Sequence, residues 1–272
     1  MKKLLMITTL AALASFPLRA QERVTVPFRN PSMPRQLVIE GMSGAVQVTG
    51  YNGQEAIVES TGGRASQGPF RRGQTPVPEG MRRIGGSSAG LDVTEENNVI
   101  RVNTGMFFGG GDIKVQVPVQ TSVRVKGIHG GQVRIENING EIEVENMSGD
   151  VNLLNVSGSV VANSMSGKVT VSLNTVTPDK PMSFSTMNGD IDVTLPASLK
   201  ANLKMKTQQG DIFTDFDVQI TPSAAAPKLP DVPVRAPRFR NPTDRSTSAT
   251  INGGGPEIQF TSFHGNILIH KK

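Results

Sequence analysis

Along most of the chain apolar and polar residues alternate in short runs, as in Asp112-Ile113-Lys114-Val115-Gln116-Val117 and Val169-Thr170-Val171-Ser172-Leu173. A period of two puts every second side chain on one face of an extended segment, so these runs predict short β-strands, each with one dry face. Between them one unit recurs: a strand, an apolar residue, Ser or Asn, Gly, and a second strand. It occurs at Met42-Ser43-Gly44, Met147-Ser148-Gly149, Met165-Ser166-Gly167 and Met187-Asn188-Gly189. Weaker copies are Ile138-Asn139-Gly140, Val156-Ser157-Gly158, Gln208-Gln209-Gly210 and Phe263-His264-Gly265. Gly140, Gly149, Gly158 and Gly167 are nine residues apart, while Gly167, Gly189 and Gly210 are separated by 22 and 21. This spacing predicts stacked coils of about 18 to 22 residues, each turning two corners.

Parity assigns faces. Met147, Val151 and Leu153 share one parity, as do Met165, Val169 and Val171, and Met187, Ile191 and Val193. All nine are expected to point inward, with the three methionines forming a ladder down a dry core at the strand spacing of about 4.8 Å. Asp150, Asn152, Lys168, Thr170, Asp190 and Asp192 then face water. The glycines occupy the bends, where a positive φ is needed and a side chain would collide. The same signals also fit an antiparallel meander joined by Ser-Gly and Asn-Gly turns, which periodicity alone does not separate from a solenoid.

Composition narrows the chemistry. Of 272 residues 36% are hydrophobic, with 29 Gly and 18 Pro, which suits a folded, turn-rich β-protein. No Cys is present, which excludes disulfides, thiolate metal sites, a cysteine nucleophile and a lipid-modified cysteine. At the N-terminus, Lys2 and Lys3 precede an apolar run from Leu4 to Phe16, and Leu18-Arg19-Ala20 offers a cleavage point before Gln21. Residues 1–20 are therefore expected to be a signal peptide, its apolar run of about 13 residues too short to span a bilayer, and residues 21–272 an exported domain in the periplasm or at the cell surface, without a transmembrane segment.

The segment Asp112-Ile113-Lys114-Val115-Gln116-Val117-Pro118, followed by Ser122-Val123-Arg124-Val125-Lys126 and the Gly-centred units to Leu195-Pro196, resembles the bacterial putative-adhesin family related to auto-transporter adhesin heads. The Gly-Asp pairs Gly111-Asp112, Gly149-Asp150, Gly189-Asp190 and Gly210-Asp211 match its repeated pattern. The resemblance covers residues 35–58, 90–220 and a last unit at 256–270. It implies an all-β, single-stranded β-solenoid (β-helix) of Gly-cornered coils in the envelope, without a catalytic site. This chain departs from the pattern at two long insertions.

Those insertions are basic. Residues 60–90 contain Arg64, Arg71, Arg72, Arg82 and Arg83 against Glu79; residues 221–250 contain Lys228, Arg235, Arg238, Arg240 and Arg245 against Asp231 and Asp244. Neither buries enough apolar surface to offset the entropy of ordering, so both are expected to be flexible loops. Arg64, Arg71, Arg72, Arg82, Arg83, Arg235, Arg238 and Arg240 are candidate contacts to polyanions such as lipid headgroups or an envelope polymer. A nucleic-acid partner is not expected, because Phe70 and Phe239 are the only stacking groups in the loops.

Candidate chemistry is sparse elsewhere. Asp112, Asp150, Asp190 and Asp211 fall at equivalent corners, interleaved by Gln132 and Lys168, so that only Asp190 and Asp211 are expected to stack directly. They read as turn-stabilising carboxylates, not calcium ligands. His129 and His264 sit just before corner glycines and, with His270, form no Ser-His-Asp order. Met106-Phe107-Phe108 before Gly109-Gly110-Gly111 reads as an apolar loop packed on the body. No catalytic residue, cofactor or metal is expected. The function this predicts is a non-enzymatic structural or adhesin-like interaction module with an envelope polymer, lipid headgroup or protein partner. The alternative is a β-helical carbohydrate-binding or polysaccharide-active protein.

Overall fold

The computed structural model describes residues 21–30, 32–41, 43–61, 91–104, 111–127, 129–221 and 246–272. These contain strands alone. In chain order they are β1 (Gln21–Pro27), β2 (Arg35–Glu40), β3 (Ser43–Tyr51), β4 (Glu55–Thr61), β5 (Leu91–Glu96), β6 (Val99–Thr104), β7 (Asp112–Pro118), β8 (Thr121–Gly127), β9 (His129–Glu136) and β10 (Asn139–Ser148). They continue as β11 (Val151–Ser166), β12 (Val169–Val176), β13 (Met182–Asn188), β14 (Ile191–Leu195), β15 (Ala201–Gln209), β16 (Ile212–Thr214), β17 (Val218–Thr221), β18 (Ser246–Ile251), β19 (Glu257–His264) and β20 (Ile267–Lys271).

Pairing sorts the strands into two faces. One runs β6, β2, β8, β10, the second half of β11, β13, β19, β15 in parallel. The other runs β7, β3, β9, the first half of β11, β12, β14, β20, β16, also in parallel. Each coil contributes one strand to each face, and the two orders correspond strand for strand. The meander alternative is thereby set aside, since antiparallel pairs occur only toward the ends of the stack. There β1 pairs β4 and β4 pairs β7, β5 pairs β6, and at the opposite end β18 lies between β15 and β17. These outer strands cover ladder edges that would otherwise be open to pairing.

The coils do not stack in chain order. The coil of β2 and β3 lies between those of β6–β7 and β8–β9, and the C-terminal coil of β19 and β20 lies between β13–β14 and β15–β16. The C-terminal strand is therefore internal to the stack: Lys271 pairs with Leu195 and the Lys272 amide donates to the Leu195 carbonyl.

Between the faces lies one continuous apolar core. Val151, Leu153, Val169, Val171, Ile191, Val193, Ile267 and Ile269 are buried from one face, and Ile142, Val144, Val160, Ala162, Phe184, Leu203 and Phe260 from the other. Phe184 and Phe260 stack with centroids 5.3 Å apart. Two corners per coil are present as the glycine spacing predicts. At one, a Cβ on Gly158 would lie 2.0 Å from the Gly140 carbonyl oxygen; at the other, a Cβ on Gly167, where φ is +146°, would lie 2.2 Å from the Gly149 oxygen. Coils approach too closely there for any side chain.

Candidate functional site

The methionine ladder faces the opposite way from the sequence expectation. Met147, Met165 and Met187 are 45%, 47% and 51% exposed, while Val151, Val169 and Ile191 beyond the corner are fully buried. Residue parity does not carry through Ser148-Gly149-Asp150 and its equivalents, because these turns change the chain direction and reset which side chains face in. The inward positions before the corner are instead Asn146, Ser164, Thr186, Ser262 and Thr207, all buried.

Their polarity has a purpose. The corner carbonyls turn toward the core, where an unpaired oxygen would cost roughly 1–3 kcal/mol. Thr186 Oγ1 donates to the Gly167 oxygen at 3.1 Å, Thr207 Oγ1 to Gly265 at 3.0 Å and Ser262 Oγ to Gly189 at 3.3 Å. Asn146 Nδ2 lies within 3.2 Å of the Gly131, Ser148 and Gly149 carbonyl oxygens. Its Oδ1 is buried and has no hydrogen-bond partner among the described residues.

The corner carboxylates are structural as well. Asp150 Oδ1 accepts the Lys168 amide at 2.8 Å, Asp190 Oδ1 the Asn266 amide at 2.7 Å, and Asp112 Oδ1 the Ala45 amide at 3.0 Å. Asp190 and Asp211 do not stack directly: the inserted C-terminal coil places Asn266 between them, and its Oδ1 accepts the Asp211 amide at 2.9 Å. Each carboxylate thus ties one coil to the next through a charge-assisted bond. Among the described residues no group of three His, Asp or Glu is placed to hold a metal ion. His264 occupies the slot of Ser148, Ser166 and Asn188, its Nδ1 3.1 Å from Asn188 Oδ1. His270 Nε2 lies 3.5 Å from Asp192, which also meets Lys168 Nζ at 2.8 Å.

With the methionines outside, the face carries a groove of about 830 Å³ running along the stack, across the strands. One wall is the row Met147, Met165, Met187 and Phe263, at register-equivalent positions of β10, β11, β13 and β19. The other is the row two residues earlier: Glu40, Lys126, Glu145, Asn163, Ser185, Thr261 and Lys206, each beside the next across the ladder. Ser185 Oγ donates to Asn163 Oδ1 at 2.5 Å, and Lys126 Nζ meets Glu145 at 3.4 Å. The residues between the two rows, Asn146, Ser164, Thr186 and Ser262, lie at the floor, with their side chains turned inward. Gln208 closes the apolar row beyond Phe263, and Gly41 and Gly127 floor the opposite end.

The eight arginines Arg64, Arg71, Arg72, Arg82, Arg83, Arg235, Arg238 and Arg240 lie outside the described residues, as do residues 1–20 and Met106, Phe107 and Phe108. Sequence reasoning missed the groove, although the equivalent positions of the unit, Met-Ser-Gly, Met-Asn-Gly and Phe-His-Gly, already marked its wall. The small polar residues Asn146, Ser164, Thr186 and Ser262 that precede those apolar residues were the signal that the inward row lay one position earlier.

Among the described residues no helix is long and apolar enough to cross a membrane. Comparison with known proteins matches residues 89–225 to the family Toastrack DUF4097. Among solved structures the chain is similar to a putative cell adhesion protein from Clostridium sporogenes, at 10% identity and TM-score 0.47, covering 93% of this chain and 99% of that one, and to a putative adhesin from Bacteroides fragilis, at 12% identity and TM-score 0.43, covering 94% and 99%. No curated protein matches the chain.

Proposed function

The chain belongs to the Toastrack DUF4097 family, and from that premise we propose that it is a non-enzymatic interaction module of the cell envelope: an exported, single-stranded β-solenoid that presents outward rows of side chains to a partner. The observation that carries this reading is the disposition of polar groups. Corner carboxylates and hydroxyls are engaged by backbone amides and carbonyls of neighbouring coils, while the groove is walled by Met147, Met165, Met187 and Phe263. Reaction chemistry needs convergent acid, base or nucleophile groups with freedom to act; this surface offers register-spaced contacts instead. Many shallow contacts on a stiff scaffold suit recognition of an extended envelope component.

The two basic insertions extend the proposal. Their arginines add reach toward polyanionic headgroups or polymers, each worth on the order of 1 kcal/mol near an anionic surface. A glycan and lipid array probed with the protein tests the reading as a whole. The expected outcome is retention of an envelope component without its turnover. Release of new sugar ends from a bound polysaccharide would instead establish the polysaccharide-active alternative. For the arms, a variant lacking residues 64–83 is expected to bind anionic vesicles more weakly at low salt, with the difference vanishing at high salt; equal binding by the two proteins would remove the arms from the account.

A further inference from the structure

We infer that the groove along Met147, Met165, Met187 and Phe263 holds the acyl chain of a single-chained, zwitterionic phospholipid. This deepens the reading above and rests on it.

Width selects the occupant first. The two walls are side-chain rows two residues apart on the same strands, so their Cβ atoms stand about 7 Å apart, twice the rise per residue. An α-helix is about 10–12 Å across with its side chains and cannot enter, whereas a polymethylene chain can. Hydrogen bonding selects next. The strands flooring the groove are paired on both sides, so no ladder edge is free to receive a peptide strand. The hydroxyls of Thr186 and Ser262 turn inward to the Gly167 and Gly189 carbonyls and offer the groove no partner. An extended peptide would bury amides here without partners, at a cost an acyl chain does not meet. A second copy of the protein is disfavoured on area, because four half-exposed side chains fall well below the about 800 Å² per partner of a stable dimer.

The dimensions and plasticity agree. Four register-equivalent apolar residues span three coil spacings, about 14 Å of continuous apolar wall. Three are methionines, whose unbranched side chains adapt to a mobile hydrocarbon; Phe263, braced edge-on by His264 at 4.5 Å between ring centroids, gives a fixed end.

Charge sets the headgroup. At the Gly41 and Gly127 end the polar wall reads Glu40, Lys126, Glu145, alternating in sign across three neighbouring strands. That alternation matches a group carrying a phosphate and an ammonium together.

The test is titration of the protein, carrying [methyl-13C]methionine, with myristoyl lysophosphatidylethanolamine below its micelle concentration, read by methyl NMR and calorimetry. Saturable binding is expected, with the methyl signals of Met147, Met165 and Met187 moving together while those of the buried Met182 and Met205 stay. The M165Q/M187Q variant, altered only at exposed positions, is expected to bind at least tenfold more weakly with an unchanged melting temperature. No saturable binding, or equal affinity for the variant, overturns the inference. Equal binding of glycerophosphoethanolamine, which lacks the chain, also overturns it, as does concentration-dependent dimerisation that the variant abolishes. Array binding retained by a protein that ignores the lysolipid would refute this inference while leaving the envelope-module reading intact.

Discussion

Val151 and Asn152 are adjacent, yet the first is fully buried against the neighbouring coils and the second faces outward. Val151→Asp places a carboxylate in the dry column and is expected to cost about 3–5 kcal/mol; Asn152→Asp is expected to be nearly silent. Thermal unfolding of the two variants checks the assignment, and equal shifts would contradict it. A subtler prediction concerns Thr186, buried with its hydroxyl on the Gly167 carbonyl. Thr186→Val keeps the shape and removes the donor, so it should cost roughly 1–3 kcal/mol by leaving that oxygen unpaired. A loss well under that in chemical denaturation would mean the inward hydroxyl row is not needed to satisfy the corners. At this scale the sequence was legible where periodicity ran unbroken, as in Val169, Val171 and Leu173. It was not legible across Ser-Gly-Asp, because a turn at positive φ changes facing without changing the count of residues.

At the scale of elements, the coil is the unit that resists change. Gly149, Gly167, Gly189 and Gly265 follow one another down one corner, each so close to the preceding carbonyl that a Cβ would stand 2.0–2.8 Å from a backbone oxygen or carbon. Gly167→Ala must therefore push two coils apart as well as strain φ, and should destabilise by more than the about 1–2 kcal/mol of a left-handed alanine alone. The melting temperature of that variant against Gly253→Ala, where nothing lies within 4 Å, separates the two contributions, since only the first meets a neighbouring coil. Glycine spacing announced these corners correctly, and the nine-residue interval did mark two per coil. Charge pairs were less legible. Lys168 meets Asp192 across the ladder, a neighbour set by coil register and invisible in a linear reading.

For the molecule as a whole, the order of coils is the feature the chain conceals. Gly189 and Gly210, 21 residues apart, read as successive steps along the chain, but Gly265 stands between them, because β19 and β20 lie between β13–β14 and β15–β16. Spacing reports only local repeats; insertion of a distant coil is decided by long-range pairing that leaves no periodic trace. One consequence is that removing residues 257–272 should separate β13 and β14 from β15 and β16, with loss of hydrogen-exchange protection across residues 182–214. Removing Gln21–Pro27 should expose only β4. Similar losses from both truncations would contradict the intercalated order. The groove is also a property of this scale, since its walls are assembled from seven strands that meet only in the stack.

The account turns on which way the methionine row faces. Brief treatment with hydrogen peroxide followed by peptide mapping reads this directly, because sulfur oxidation follows solvent access. Met147, Met165 and Met187 are expected to oxidise rapidly, and Met182 and Met205, 2% and 4% exposed, slowly in the folded protein and at the common rate after unfolding. Protection of Met147, Met165 and Met187 equal to that of Met182 would return the ladder to the core and remove the groove.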